Sequence, residues 1–172
     1  LRDLATVERV WLGTTKEYDQ TQQYTVNTST ILIQPQVDPH QCFVHEVDDV
    51  YVCHSTSYDI MNDSCITTRG TTLDGIRTAI KTIIENKHKP PIPIDIEKGI
   101  IFLPTMVTSK LECAWFSYNH TQSVDSHPED PGKSIILFSN GLTYEVNASK
   151  KQVMNQIMMA GHVFGHFKKG DF

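Results

Sequence analysis

The sequence predicts a single α+β domain spanning residues 1–172, with residues 1–20 as a peripheral segment. Its core is expected to be a mainly antiparallel, partly barrel-like β-sheet of about seven to nine strands, with two main α-helices. Three observations carry that expectation. Short apolar, β-branched runs bounded by turn residues recur along the chain. Two longer segments switch to apolar steps of three and four residues, the spacing of one helical face. And 172 residues, 39% hydrophobic and 20% charged, are enough to enclose a sizeable core.

Taken in order, "YTVNTSTILIQP" at 24–35 reads as a strand ending at Pro35. "CFVHEV" and "VYVCHS" flank Asp48-Asp49 and read as a hairpin, with a short strand expected near Tyr58 to Met61. "TTLDGIRTAIKTIIENK", residues 71–87, sets Leu73, Ile76, Ala79, Ile80, Ile83 and Ile84 on one helical face. Thr71 or Thr72 supplies the N-cap oxygen and Asp74 suits the positive end of the helix dipole. The helix must end before Pro90, because the residue preceding a proline is pushed out of the α region. Ile92, Ile94 and Ile96 then alternate with Pro93 and Asp95. Pro93 cannot donate to a ladder, so this is an edge strand or the start of one.

"IIFLPT" is expected to return as a more buried strand after Glu97-Lys98-Gly99, and "ECAWFSYNH" as another, with Trp115 and Phe116 on opposite faces. The polar run "TQSVDSHPEDPGK" reads as a loop. "SIILF-SNG-LTYEV" reads as a hairpin in which Asn140-Gly141 forms a type I′ turn. Residues 149–167 finish as a helix with Val153, Ile157, Ala160 and Phe164 in a stripe, weakened in its last turns by Gly161 and Gly165.

Composition narrows the function classes. No stretch approaches the length of a membrane span, and "LRDLATVERVW" lacks the apolar core of a signal peptide, so no membrane association is expected. Cys42, Cys53, Cys65 and Cys113 form no CxxC pair and read as buried thiols, or as two disulfides if the protein is secreted. Sequons at Asn27, Asn62, Asn119 and Asn147 keep open the alternative of a secreted glycoprotein or non-catalytic protein-interaction module. His162 and His166 stand four apart on a predicted helix, the spacing that can bring two imidazoles to one metal. Val163 occupies the place of the glutamate a zinc hydrolase needs there, and no spacing supplies a third ligand, so neither a metal nor a cofactor is expected. No GxSxG, Walker loop or GxGxxG occurs, and no enzymatic activity is expected. "KPPIP" could dock as a polyproline ligand, but its flanking isoleucines place it inside the folded domain.

The net charge of −5 argues against casual nucleic-acid binding, yet it is unevenly spread. Residues 1–66 hold three basic against ten acidic residues, and residues 67–172 hold twelve against ten. Two stretches are locally basic. Residues 67–92 carry Arg69, Arg77, Lys81, Lys87 and Lys89, and residues 148–172 carry Lys150, Lys151, Lys168 and Lys169. These nine are the candidate DNA-binding residues, provided both stretches lie on one surface.

Several segments then acquire meaning together. "IMNDSC", "GTTLDGIR", "HKPPIPID", "IFLPT", "CAWFS" and "FSNGLTYEV" occur in that order. The series resembles the ComK competence transcription factors of Gram-positive bacteria, a resemblance that covers residues 60 to about 160, most of the chain. The resemblance implies a cytoplasmic DNA-binding activator of DNA-uptake genes, a homodimer or paired dimers that recognise AT-rich duplex boxes through the minor groove. Arg77 matches the family's arginine at the glycine-flanked helix start, and Lys89 matches the lysine of its Lys-Pro-Pro-Ile motif. An adaptor-guided Clp protease is a further implied partner. The segment the adaptor recognises belongs to a longer tail than "GHFKKGDF", so those residues are not carried over. The acidic overall balance departs from the usual basic character of a DNA-binding domain.

Overall fold

The computed structural model describes residues 7–8, 15–19, 21–84, 88–106 and 111–169. Among these, β1 is Val7–Glu8, β2 Lys16–Glu17, β3 Thr30–Pro35, β4 Cys42–Glu46 and β5 Val50–Cys53. Two helices follow, α1 (Ser57–Arg69) and α2 (Leu73–Lys81). Then come β6 (Ile92–Asp95), β7 (Ile100–Pro104), β8 (Trp115–Ser117), β9 (Thr121–Ser126), β10 (Ser134–Phe138), β11 (Thr143–Val146) and α3 (Lys150–Lys169).

Seven strands form one sheet in the order β2-β5-β4-β3-β8-β7-β6, and four form a second in the order β1-β11-β10-β9. Every pairing is antiparallel except β2 with β5. Among the described residues neither sheet closes into a barrel. The larger sheet hides its faces by covering them instead of closing. Along β7, Ile100 and Phe102 join one core cluster while Ile101 and Leu103 join the other. Trp115 and Phe116 divide in the same way, as the sequence predicts. The first cluster takes Ile60, Met61 and Cys65 of α1 and Leu73, Ile76 and Ile80 of α2. The second takes Val124, Ile136 and Val146 of the smaller sheet and Val153 and Ala160 of α3. Phe102 and Phe116, fully buried on opposite faces, each stabilise the fold by roughly 1.5–3 kcal/mol through apolar burial.

Among the described residues three helices stand where two main helices are expected, and the strand placed at Tyr58 to Met61 is the first turn of α1. The reason lies in the cap. Thr56 Oγ1 accepts the Asp59 amide at 3.0 Å, and Asp59 sits in the first turn where its charge favours the helix dipole. Ile60, Met61, Ser64 and Cys65 are buried at helical spacing, and Gly70 at φ 71° closes the helix.

Other boundaries shift as well. The strand expected from Tyr24 begins only at Thr30. Thr72 is the N-cap of α2, but the regular helix ends at Lys81, where the Thr82 hydroxyl turns back to the Ala79 carbonyl at 2.7 Å. Ile84 still packs into the core, whereas Ala79 is exposed. The polar run expected to be a loop contains β9, an edge strand in which Val124 alone is buried. The β10–β11 turn is not type I′. Gly141 has φ 90°, Asn140 does not have positive φ, and the Gly141 amide closes the turn on the Phe138 carbonyl at 3.0 Å. This is the type I geometry followed by a glycine in positive φ. Neither glycine breaks α3, which begins with a reciprocal cap between Ser149 and Gln152 and runs through to Lys169. Gly161 permits close approach, since a Cβ there would lie 3.2 Å from the Tyr118 hydroxyl.

All four cysteines are free and buried. Cys42 and Cys53 face each other across the β4–β5 ladder, and burial pushes the Cys53 and Cys65 thiols up to about 12.

Candidate nucleic-acid interface

The cationic site is built around the junction of α2 and β6. Thr72 Oγ1 accepts the Gly75 amide at 3.0 Å, and Asn62 Oδ1 of α1 accepts the Leu73 amide at 2.9 Å. These bonds fix the start of α2 against α1. A Cβ at position 75 would lie 2.7 Å from Thr71 Oγ1, so any other residue there would push the exposed Thr71 hydroxyl aside where the cap folds over the first turn. With Leu73, Ile76 and Ile80 buried beneath, Arg77 is left on the flank, its side chain 29% exposed. Its Nη1 lies 3.7 Å from Asp74 Oδ1, while Tyr58 donates to the other oxygen of that carboxylate at 3.0 Å. A long, exposed pair of this kind contributes at most about 1 kcal/mol and leaves the guanidinium available to another anion.

The proline corner supplies the second cation. Pro90 and Pro91 are buried, Ile92 and Ile94 are fully enclosed, and β6 is the edge of the seven-stranded sheet that Pro93 required. Lys89, immediately before them, is partly buried, and burial draws its ammonium below the usual lysine range. Cys113, just before β8, acts on Lys89 in the opposite direction. Burial pushes the Cys113 thiol up, and the guanidinium of Arg77 acts on the same sulfur in the opposite direction. Arg77 and Lys89 are thus each linked electrostatically to Cys113. Lys81, partly exposed in the last turn of α2, continues that flank. Lys87 lies outside the described residues.

The remaining candidates stand elsewhere. Arg69 ends α1 with its guanidinium 5.8 Å from the centre of the Phe167 ring, and Lys168 Nζ is 5.6 Å from the centre of the Phe164 ring. Arg69 and Phe167 line a cleft of about 420 Å³ together with Thr68, Asp95, Ile96 and Glu97. Lys89 and Asp95 flank β6, so roughly 20 Å of extended chain separates the two places. Lys169 is the last residue of α3. Lys150 and Lys151 are exposed in the first turn of that helix, roughly 26 Å along its axis from Lys168. Lys150 and Lys151 thus stand at the opposite end of α3 from Lys168. The rings of Phe164 and Phe167, which hold two of the cations, were missed from sequence. Their three-residue spacing beside Lys168 is the signal that could have found them.

The family model of the ComK protein matches residues 21–170. The chain belongs to the ComK family. The competence transcription factor of Bacillus subtilis (strain 168) is 28% identical over 138 residues, covering 79% of this chain and 70% of that protein. No solved structure matches the chain. Placed on the fold, the six ComK-like segments are largely core and caps. "IMNDSC" lies within α1, "IFLPT" spans most of β7, and "CAWFS" holds β8. Across all six segments Arg77 and Lys89 are the only Lys or Arg residues. Among the described residues no helix is long and apolar enough to cross a membrane.

Proposed function

We propose that this ComK-family chain is a transcriptional activator of competence genes that binds AT-rich duplex DNA at the Arg77–Lys89 corner, with no chemistry of its own. One observation carries the reading: Arg77 and Lys89 are the only Lys or Arg residues within the family-like segments, and both reach the surface. The narrow minor groove of AT-rich DNA concentrates negative potential, and it rewards a guanidinium or ammonium held at a rigid corner. Pro90 and Pro91 fix the backbone after Lys89, and the capped start of α2 fixes it at Arg77, so the chain beneath both cations is ordered before contact. Because roughly half of protein–DNA contacts go to the backbone, phosphates flanking the groove are the natural partners of Lys81. The partners in this reading are an AT-rich duplex, a second copy of the chain as a dimer or paired dimers, and an adaptor-guided Clp protease. The site of action is the cytoplasm, where the promoter DNA is.

The free, buried state of all four cysteines favours this reading over a disulfide-bonded secreted glycoprotein. The test is a gel-shift titration against AT-rich and GC-rich duplexes at two salt concentrations. Tighter binding to the AT-rich duplex, weakening steeply with salt, is expected. Equal affinity for both duplexes, or no shift at low salt, overturns the reading.

A further inference from the structure

Along α3, Met154, Met158, His162 and His166 follow one another at four-residue steps. All four are exposed, Met154 at 40% and Met158 at 64%. Four residues advance a helix by slightly more than one turn, so the side chains form one outward ridge with neighbours about 6 Å apart at Cβ. Burial does not explain the ridge, since the packed side of α3 is formed by Val153, Gln156, Ala160 and Val163. Among the described residues neither imidazole is committed to a hydrogen bond or an ion pair, and the His166 ring lies edge-on to Phe167 at 5.4 Å. The twenty residues of α3 include no Asp or Glu.

We propose that this ridge is a soft-metal site that takes one cuprous ion, held between His162 and His166, with Met158 as the alternative second ligand to His162. The donor set carries the choice of ion. Thioether sulfur and neutral imidazole are uncharged, soft or borderline ligands, which suit monovalent copper. That ion is content with two or three such donors. A zinc ion seeks four ligands in a tetrahedron, and here it would find two imidazoles and no carboxylate on the helix. Helical i,i+4 spacing brings each neighbouring pair within bidentate reach, so the metal bridges one turn without distorting the backbone. His162 is the shared ligand of both arrangements. The inference stands on α3 alone and is independent of the DNA reading.

The experiment is an anaerobic competition of the full chain against a cuprous bicinchoninate complex. The wild-type chain should withdraw one equivalent of copper. His162→Ala should abolish that withdrawal, His166→Ala and Met158→Leu should each weaken it about tenfold, and Met154→Leu should leave it unchanged. A thermal melt serves as the second readout. Because the intact helix presents the ligands and the unfolded chain does not, copper should raise the midpoint of the wild type and not of His162→Ala. The substituted side chains are exposed, so the metal-free midpoints should coincide. Undiminished withdrawal by His162→Ala would assign the copper to the buried thiols and overturn the site. So would zinc binding as tight as copper, or a wild-type chain that withdraws none.

Discussion

The Arg77–Lys89 corner and the Arg69–Lys168 region carry similar charge and differ in what surrounds it. At the corner, Arg77 has one long contact to Asp74, a carboxylate already engaged by Tyr58, and Lys89 is stiffened by two buried prolines. At the other place, Arg69 and Lys168 lie over the Phe167 and Phe164 rings, and Asp95 and Glu97 line the same cleft as Arg69. Counting positive residues makes the two regions equal. Counting counter-charges and contacts does not, because a cation already faced by carboxylates and stacked on a ring gives up more to reach a phosphate. The comparison teaches that the location of a functional field depends on where the carboxylates are as much as on the lysines.

The largest effect should come from breaking the corner outright. The double variant Arg77→Glu/Lys89→Ala is expected to lose most specific binding to AT-rich duplex, a hundredfold or more, measured by gel shift. Its circular dichroism should stay unchanged, because both side chains reach solvent. Lys89→Ala alone should weaken binding on the order of tenfold across all duplex sequences, the behaviour of a phosphate contact. Arg69→Ala or Lys168→Ala should change affinity less than about twofold, since a cation held over an aromatic ring gives up that contact to reach a phosphate. A loss from Arg69→Ala equal to that from Lys89→Ala would erase the distinction between the two places.

The smallest effect concerns stability. Burial lowers the Lys89 ammonium from its usual value of 10.5, so the unfolded chain binds its proton more tightly than the folded chain does. Stability should therefore rise slightly with pH in the range approaching 10.5, where the folded lysine has lost its proton and the unfolded one has not. Lys89→Met should remove that rise, as chemical denaturation at alkaline pH would show.

Local features were legible where one residue type has one physical consequence. Pro93 required an edge strand, Thr72 a helix cap, and the Trp115-Phe116 alternation a sheet buried on two faces. The element most misread was α1, whose β-branched Ile60, Ile66, Thr67 and Thr68 mask a helix that Thr56 and Asp59 signal at its cap. Strand β9 was hidden because an exposed edge buries only Val124 and so shows no apolar alternation. Arg77 and Lys89 could be singled out from their motifs, but the relation of either to Cys113 could not, because β6 lies two strands from β8 across the sheet and no local pattern encodes that. Nor could the sequence separate Arg69 from Arg77, because the cleft's carboxylates come from the far end of β6.

The most direct measurement is the salt dependence of affinity for an AT-rich duplex, compared among wild type, Lys89→Ala and Arg69→Ala. If Lys89 meets a phosphate, the slope of log affinity against log salt should fall by about one for Lys89→Ala and stay at the wild-type value for Arg69→Ala. An unchanged slope for Lys89→Ala, or a fall confined to Arg69→Ala, would contradict the account and move the DNA surface to the other end of β6.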